Sequence, residues 1–488
     1  MLLKDVLRGV KCSLSGGSTD MPVESVTDDS RSVKAGCLFV AVKGSAKDGS
    51  LFIKDAIKKG ARAIVSDKDF EAGDGLAKII VADPRTALAN IASNFYGNPS
   101  EYIKVIGITG TNGKTTITYL VESILKCAGI EPGVIGTVSH RLRGSVLPSK
   151  NTTPGILEVQ SLLSKVRGDG TPACAVMEIS SHALHQGRVE GVGFDVGLFT
   201  NITSDHLDYH KTRSEYFKAK SKLFAHLKKG GTAILNNDDA AVVSLASSLG
   251  GKVITYGMME GSDVRAVEVD VSVDGSTFTA TTPRGPIDIR ASLIGLHNVS
   301  NCLAAIAAAQ AIGVKNDAIA CGIKNTVSVP GRLQPIDEGQ SFKVFVDYAH
   351  TEDALGNVLQ ALRSNARGKI ITVFGCGGDR DKSKRPLMGV AACRFSDHVI
   401  ITSDNPRSED PLDIIGDIES GIKDGFSNYK SIPDRKEAIV AALESAGSSD
   451  IVVIAGKGHE DYQIIKDRVI HFDDREVARE ALRGIKIT

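Results

Sequence analysis

Ile103-Lys104-Val105-Ile106-Gly107-Ile108-Thr109-Gly110-Thr111-Asn112-Gly113-Lys114-Thr115-Thr116 passes from an apolar stretch straight into a glycine-bearing loop that ends in lysine and threonine. The apolar half reads as a buried strand. Residues 115–127 then place Leu120, Ile124 and Leu125 at helical spacing. Strand, glycine loop and helix in that order make a phosphate site. Phosphate oxygens need several backbone N–H donors at close range and one mobile cation. Gly110 and Gly113 permit the approach, the helix start aims its positive end inward, and Lys114 supplies charge. The Thr115 hydroxyl stands where such loops ligate Mg²⁺. Five residues separate Gly107 from Gly113 where the general pattern has four, so the general match is incomplete. The competing reading is a plain glycine-rich turn. A nucleotide loop by itself leaves an enzyme, a binding switch and a motor all open.

Outward from this loop the chain divides into three blocks, as its 488 residues require at about 150 residues per core. Residues 1–100 carry short apolar runs at 37–42, 63–65 and 78–81 broken by Gly and Asp, which predicts a small α/β domain. In residues 101–331 the runs at 173–177, 196–200, 233–235 and 252–255 alternate with helical stretches, predicting a mostly parallel sheet. A β-like patch at 264–289 and an alanine-rich helix at 298–312 close this central phosphate-loop domain. Pro330-Gly331-Arg332 reads as a linker. In residues 332–488 the strands at 342–346, 369–374, 398–402 and 450–455 each end in polar or glycine-rich sequence, as in a doubly wound, Rossmann-like domain. The expected class is α/β throughout.

Composition narrows the partners. Lys+Arg and Asp+Glu both number 58, so no global field favours nucleic acid or an anionic membrane. No stretch approaches the ~20 apolar residues needed for a membrane span, and the first residues lack a signal core. Eight scattered cysteines without a CxxC pair read as reduced, mostly buried residues. The expectation is a cytoplasmic protein.

Other residues are ambiguous singly. Glu178 follows an apolar strand and can hold Mg²⁺ there, but alone it reads as a surface carboxylate. Residues 201–210 carry Asp205, His206, Asp208 and His210, for which zinc competes with a metal-free polar loop. Lys220, in the helical stretch 214–226, reads as a solvated lysine unless a carbamate formed with CO₂ makes it a metal ligand.

Ordered motifs remove much of this ambiguity. They are Asp29-Ser30-Arg31 with the run at 36–41, Asn151-Thr152-Thr153-Pro154, residues 178–182 (EISSH), 347–350 (DYAH), 377–381 (GGDRD), Asp404-Asn405-Pro406-Arg407 and 456–460 (GKGHE). With the loop at 110–116, Asn201, Asp205-His206 and Arg332, they make the chain resemble the Mur ligases of peptidoglycan synthesis across nearly its whole length. The resemblance implies an ATP-dependent amide ligase acting through an acyl phosphate. Residues 1–100 would bind the UDP-sugar, 101–331 ATP, and 332–488 the incoming amino acid.

Its substrates would be ATP, UDP-N-acetylmuramoyl-L-alanyl-D-glutamate and meso-2,6-diaminopimelate, and the protein would act as a monomer. It implies ATP contacts at Gly110, Thr111, Asn112, Gly113, Lys114, Thr115, Thr116, Asn298, Arg332 and His350. Ser30, Asn151, Thr152, Thr153, Ser180, Gln186 and Arg188 would meet the UDP-sugar peptide. Arg380, Asp404, Asn405, Pro406, Arg407, Gly456 and Glu460 would meet diaminopimelate. Two Mg²⁺ ions would be held by Thr115, Glu178, His206 and a carbamylated Lys220, with Lys114 catalytic beside them.

Arg407 bears on selectivity, because a guanidinium can pair bidentately with the second carboxylate that L-lysine lacks. The nearest alternatives are a lysine-adding ligase of the same family and a folylpolyglutamate-type ligase. One departure stands out: Glu352 occupies a position where the family usually has proline, which leaves the local loop conformation open.

Overall fold

The computed structural model describes residues 1–44, 47–168, 171–203 and 205–484. Among these residues the chain forms sheets of five, eleven and six strands and a separate two-stranded hairpin. The α/β class holds in all three sheets. The first sheet runs in the order Cys12–Ser15, Ala77–Val81, Ala63–Ser66, Cys37–Val40, Ser25–Thr27, parallel except for its first pair. Its inner strands Cys37–Val40 and Ala63–Ser66 are buried along their whole length, which is why they read as unbroken apolar runs.

Lys104–Thr109 lies inside the eleven-stranded sheet between Ala173–Glu178 and Phe194–Phe199, parallel to both. Seven successive strands run parallel, from Glu131–Ile135 across to Val264–Ser272. Antiparallel strands extend both edges, Gly275–Thr281 with Ile287–Ala291 on one and Ser139–Leu142 with Ser145–Pro148 on the other. The β-like patch is thus the antiparallel rim of the central sheet. The opposite hairpin has a weak sequence signal: its turn is Arg143-Gly144, with φ of 46° and 79°, rather than the usual Asn-Gly.

The helix Lys114–Cys127 packs under Leu296–Ala311 and against Asn316–Asn325. Alanines 304, 305 and 307–309 are fully buried, and their small side chains let the helix axes approach closely. At the second contact a Cβ on Gly322 would overlap the Ile124 backbone. That approach brings Cys127 to Cys321, and the two are joined in a disulfide. The expectation of wholly reduced cysteines is corrected here. The partners lie 194 residues apart, so only helix packing, not sequence spacing, reveals the pair. Six cysteines are free, five of them buried.

In the third sheet Lys343–Asp347, Ile451–Ala455, Ile370–Phe374, His398–Ile401 and Tyr429–Ser431 run parallel, with Gln334–Pro335 antiparallel at one edge. Along Ile451–Ala455, Ile451, Val453 and Ala455 join one core while Val452 and Ile454 join the other. That period of two puts helices on both faces, the doubly wound arrangement. The departure at Glu352 also finds its reason. Glu352 is the first residue of the helix Glu352–Arg363, capped by the Thr351 hydroxyl, which accepts from the Ala354 N–H (3.3 Å). Proline suits that position because its missing N–H would be unpaired anyway, and a carboxylate suits it by facing the helix dipole. No described helix is long and apolar enough to cross a membrane. Residues 485–488 of the third block lie outside the described residues.

Candidate active site

The loop leaves the C-terminal end of Lys104–Thr109 with Gly110 at φ 145° and enters the helix with Gly113 at φ 90°. A Cβ on Gly110 would overlap the Thr200 hydroxyl, and one on Gly113 the Asn301 amide, so side chains are excluded at both. Gly107 has another reason to be glycine. It lies within the strand, where a Cβ would stand 2.8 Å from the Phe194 ring. The odd motif spacing follows, since Gly107 serves the core and not the phosphate.

Asn201 braces the loop. Its carbonyl accepts from the Thr111 N–H and its side-chain oxygen from the Asn112 N–H, both at 2.9 Å. Lys114 Nζ donates to the Gly110 and Thr111 carbonyls at 2.8 Å. Lys220, only 1% exposed, donates to the same Gly110 carbonyl at 2.7 Å. Burial pushes both amines down in pKa. Glu178 and Asp205 oppose this at Lys114, and the charge of Lys114 adds to it at Lys220. A solvated Lys220 is therefore excluded.

Glu178 ends the strand Ala173–Glu178 and is buried. Its Oε2 accepts from the Thr115 and Thr137 hydroxyls (2.9 Å each) and its Oε1 from the Thr137 N–H (3.0 Å). Thr137, which no motif had marked, thus links the carboxylate to Thr152, whose hydroxyl lies 3.1 Å from Thr137 Oγ1 and donates to it. His206 sits in the left-handed region at φ 53°, its N–H donating to Asp205 Oδ1 (2.9 Å) and its ring edge-on to His182 at 4.9 Å. Desolvation pushes its imidazole down to about 4 against the charge of Asp205, whose Oδ2 lies 3.5 Å from His206 Nε2. The Asp208 side chain and Ser204 lie outside the described residues.

Oxygen donors from Thr115 and Glu178 fit a hard cation that completes its shell with phosphates and water, and the buried Lys220 would add oxygen donors only as a carbamate. Among the described residues no three His, Cys, Asp or Glu side chains form a ready-made cage.

On the other side of Glu178, the Thr153 hydroxyl donates to the Glu178 carbonyl (2.8 Å) and accepts from the Ser180 N–H (3.0 Å). Arg188 donates to the Thr153 carbonyl (2.9 Å) and forks onto Gln186 Oε1 (3.0 and 2.7 Å). These sequence-marked residues form one connected wall. Arg85, not marked in sequence, bonds it to the first sheet by donating to the Gln186 and Lys43 carbonyls at 2.9 Å. Asn151 is exposed at the rim. Ser30 stands apart in the turn after Ser25–Thr27, its carbonyl accepting from Lys59 Nζ (2.7 Å). Asn298 and Arg332 line a separate cavity of about 200 Å³ with Ile294, Leu333 and Phe345.

The third sheet faces the loop. Asn112 Nδ2 donates to Asp353 Oδ2 at 3.1 Å, and His350 hydrogen-bonds through Nδ1 to the Tyr348 carbonyl at 2.8 Å. Farther along, Asp404 and Asn405 are buried, and Asn405 Nδ2 donates to Glu460 Oε2 (2.9 Å). A Cβ on Gly456 would stand 2.6 Å from Asp404 Oδ2. Arg407 Nη1 donates to the Gly378 carbonyl at 2.8 Å. Burial, then the negative charge of Asp404, holds the Glu460 carboxyl above its usual range. Fully buried Lys457 lies with its Nζ 3.5 Å from Glu460 Oε2, so this cluster holds two acids with a lysine, and Arg407 stands on the same segment. Arg380 is exposed at its edge and donates to the Asp379 carbonyl (3.2 Å).

A braced glycine loop with a buried carboxylate beside it, faced by a doubly wound domain, defines the class as a nucleotide-dependent enzyme. Residues 22–96 match the Mur ligase family, catalytic domain, residues 108–309 the Mur ligase middle domain, and residues 331–458 the Mur ligase, glutamate ligase domain. The chain belongs to the Mur ligase family. It is 44% identical over 482 residues to the UDP-N-acetylmuramoyl-L-alanyl-D-glutamate–2,6-diaminopimelate ligase of Caldanaerobacter subterraneus subsp. tengcongensis, covering 99% of each chain. The enzyme of the same name from Geobacillus thermodenitrificans is 46% identical over 474 residues, 96% of each. A solved structure of a ligase with that name superposes with a TM-score of 0.73 at 32% identity, covering 100% of both chains.

Proposed function

We propose that this chain joins meso-2,6-diaminopimelate to UDP-N-acetylmuramoyl-L-alanyl-D-glutamate at the expense of ATP, forming a peptidoglycan precursor. The observation that carries the reading is the Asp404–Arg407 segment, which is bonded to Glu460 through Asn405. The far end of diaminopimelate bears an ammonium and a carboxylate on one carbon. The two acids suit the ammonium and the guanidinium suits the carboxylate, whereas L-lysine would offer Arg407 no carboxylate to pair with. The names and full-length similarity of the relatives support the same substrates.

In this reading residues 1–100 bind the UDP-sugar, 101–331 ATP and the reacting carboxylate, and 332–488 the amino acid. The free carboxylate of the D-Glu residue attacks the γ-phosphorus, and ADP leaves with the bond to its β-phosphate oxygen broken. The acyl phosphate has lost the negative charge that repels an amine. The amine of diaminopimelate then attacks the carbonyl carbon, phosphate leaves with the electron pair, and the nitrogen gives up a proton. The loop N–H groups hold the β-phosphate, and Lys114 swings from the loop carbonyls to the transferring oxygens. Thr115, Glu178, His206 and a carbamylated Lys220 would hold two Mg²⁺ ions, which when bound neutralise charge on the phosphates. Burial and the charge of Lys114 lower the pKa of the Lys220 amine, favouring the uncharged form that reacts with CO₂. Asn298 and Arg332 border the nucleotide base, His350 meets the ATP phosphates, and Arg85 keeps the sugar-peptide wall against the first sheet. We place the enzyme in the cytoplasm, as a monomer with all three sites on one chain.

The test is phosphate release by the purified protein with ATP and Mg²⁺. Release should require both the UDP-sugar dipeptide and diaminopimelate. Slow hydrolysis indifferent to either would contradict synthesis and favour a nucleotide-dependent switch.

A further inference from the structure

The hairpin formed by Tyr462–Ile465 and Arg468–His471 has no assigned task, yet it is bonded along the whole Asp404–Arg407 segment. Gln463 is 6% exposed, and its Nε2 donates to the Asp404 carbonyl at 2.6 Å. The Ile464 N–H donates to Asn405 Oδ1 (2.9 Å), and the Ile464 carbonyl accepts from the Arg407 N–H (3.0 Å). The Lys466 N–H then donates to the Arg407 carbonyl (2.6 Å). Arg407 and Ile465 pair as an isolated parallel bridge.

These bonds fix a backbone that would not hold itself. Arg407 lies at φ 52°, in the left-handed region that a side chain disfavours. Both its N–H and its carbonyl are used by the hairpin, so the guanidinium is aimed by strand pairing and not by its own rotamers alone. Gln463 contributes the one side-chain bond from the hairpin to the segment's backbone, at Asp404. The same segment is held from beneath by Arg435, which donates to the Ser403 and Ala455 carbonyls (3.3 and 2.9 Å), so hairpin contacts act on a loop whose base is already anchored.

We propose that Gln463 is a specificity-determining positioning residue, which through the hairpin sets the spacing of Asp404 and Arg407 to the two charges at the far end of diaminopimelate. The inference rests on the function proposed above. It need not touch the substrate: losing its amide leaves a buried carbonyl unpaired and lets the acid and the guanidinium move apart.

Wild type, Gln463→Met (similar in shape, no donor) and Gln463→Asn (a donor one carbon shorter) are compared by steady-state kinetics with diaminopimelate and L-lysine, with calorimetric binding of diaminopimelate and thermal midpoints alongside. Gln463→Met is expected to raise the KM for diaminopimelate about tenfold and lower the preference over lysine by a similar factor, as loss of one buried hydrogen bond implies. Its kcat and its KM for ATP and the UDP-sugar dipeptide should stay within about twofold of wild type. Gln463→Asn should shift the same constant in the same direction by less, and it carries the test if the Met variant does not fold. Unchanged use of diaminopimelate, or an equal loss for all three substrates, overturns the proposal. A wild type that accepts no diaminopimelate overturns the proposed function as well, whereas a wild type that does and variants equal to it overturn this inference alone.

Discussion

The phosphate loop and the Asp404–Arg407 segment each present a cation beside carboxylates near the C-terminal end of a parallel strand, but they hold it in opposite ways. In the loop the unusual backbone belongs to glycines, Gly110 and Gly113, and the cation is a lysine resting on two carbonyls. In the segment the unusual backbone belongs to the arginine itself, at φ 52°, and a neighbouring hairpin secures both of its peptide groups. A left-handed non-glycine residue costs about 1–2 kcal/mol, which those bonds offset. Every nucleotide offers phosphate, so a mobile point charge serves. One particular amino acid must be told from its near isostere, and a fixed planar fork serves better.

The largest expected effect tests the first half of this contrast. Lys114→Met should lower kcat by about a thousandfold or more, since the charge on the transferring phosphoryl group then lacks its lysine. Stopped-flow phosphate release measures it, and a variant near wild-type rate would break the comparison. Arg407→Ala should come next, with kcat/KM for diaminopimelate down about a hundredfold and ATP affinity nearly unchanged. Arg407→Lys should not restore it, because an ammonium cannot make the paired bonds. If lysine restores activity, the arginine is acting as a point charge and the contrast collapses.

A smaller effect probes the contact between the two regions. Asn112→Ala removes the 3.1 Å bond to Asp353 that spans the central and third sheets. Loss of one partly exposed hydrogen bond should cost about threefold in kcat, read from single-turnover rates. The smallest is a pH effect of opposite sign on the two sides. Burial pushes His210, beside the phosphate site, down to about 4 from 6.5, with His182 and His185 adding to the shift. Between those values the unfolded chain holds a proton that the folded chain lacks. Stability therefore rises with pH across about 4 to 6.5 and is complete above 6.5. His471, on the hairpin, is raised by Glu476, so its contribution is present below 6.5 and lost as pH rises through the raised value. Thermal midpoints should show His210→Gln flattening the acid slope by roughly 2 °C and His471→Gln leaving it unchanged.

The parts of this molecule that could be read in sequence share a physical reason. The strands at 103–109 and 451–455 are buried on both faces and appear as apolar runs, and the loop between strand and helix carries glycines that a phosphate demands. The motif residues at 178, 180 and 186–188 were also legible, and they come together in one wall. What escaped depends on contacts remote in sequence. Thr137 and Arg85 look ordinary until the fold puts them against Glu178 and Gln186. The pairing of Cys127 with Cys321 and the glycine at 322 that allows it likewise exist only as helix packing. Glu352 shows the reverse case, where an apparent departure keeps the local physics of a helix start.

The most direct test of the whole account is to give the wild-type enzyme ATP, the UDP-sugar dipeptide and equal concentrations of meso-diaminopimelate and L-lysine, and to weigh the product by mass spectrometry. The diaminopimelate adduct is expected in at least about hundredfold excess, the discrimination available when a guanidinium pairs bidentately with a carboxylate that the competitor lacks. Equal amounts of the two adducts, or an excess of the lysine one, would contradict it.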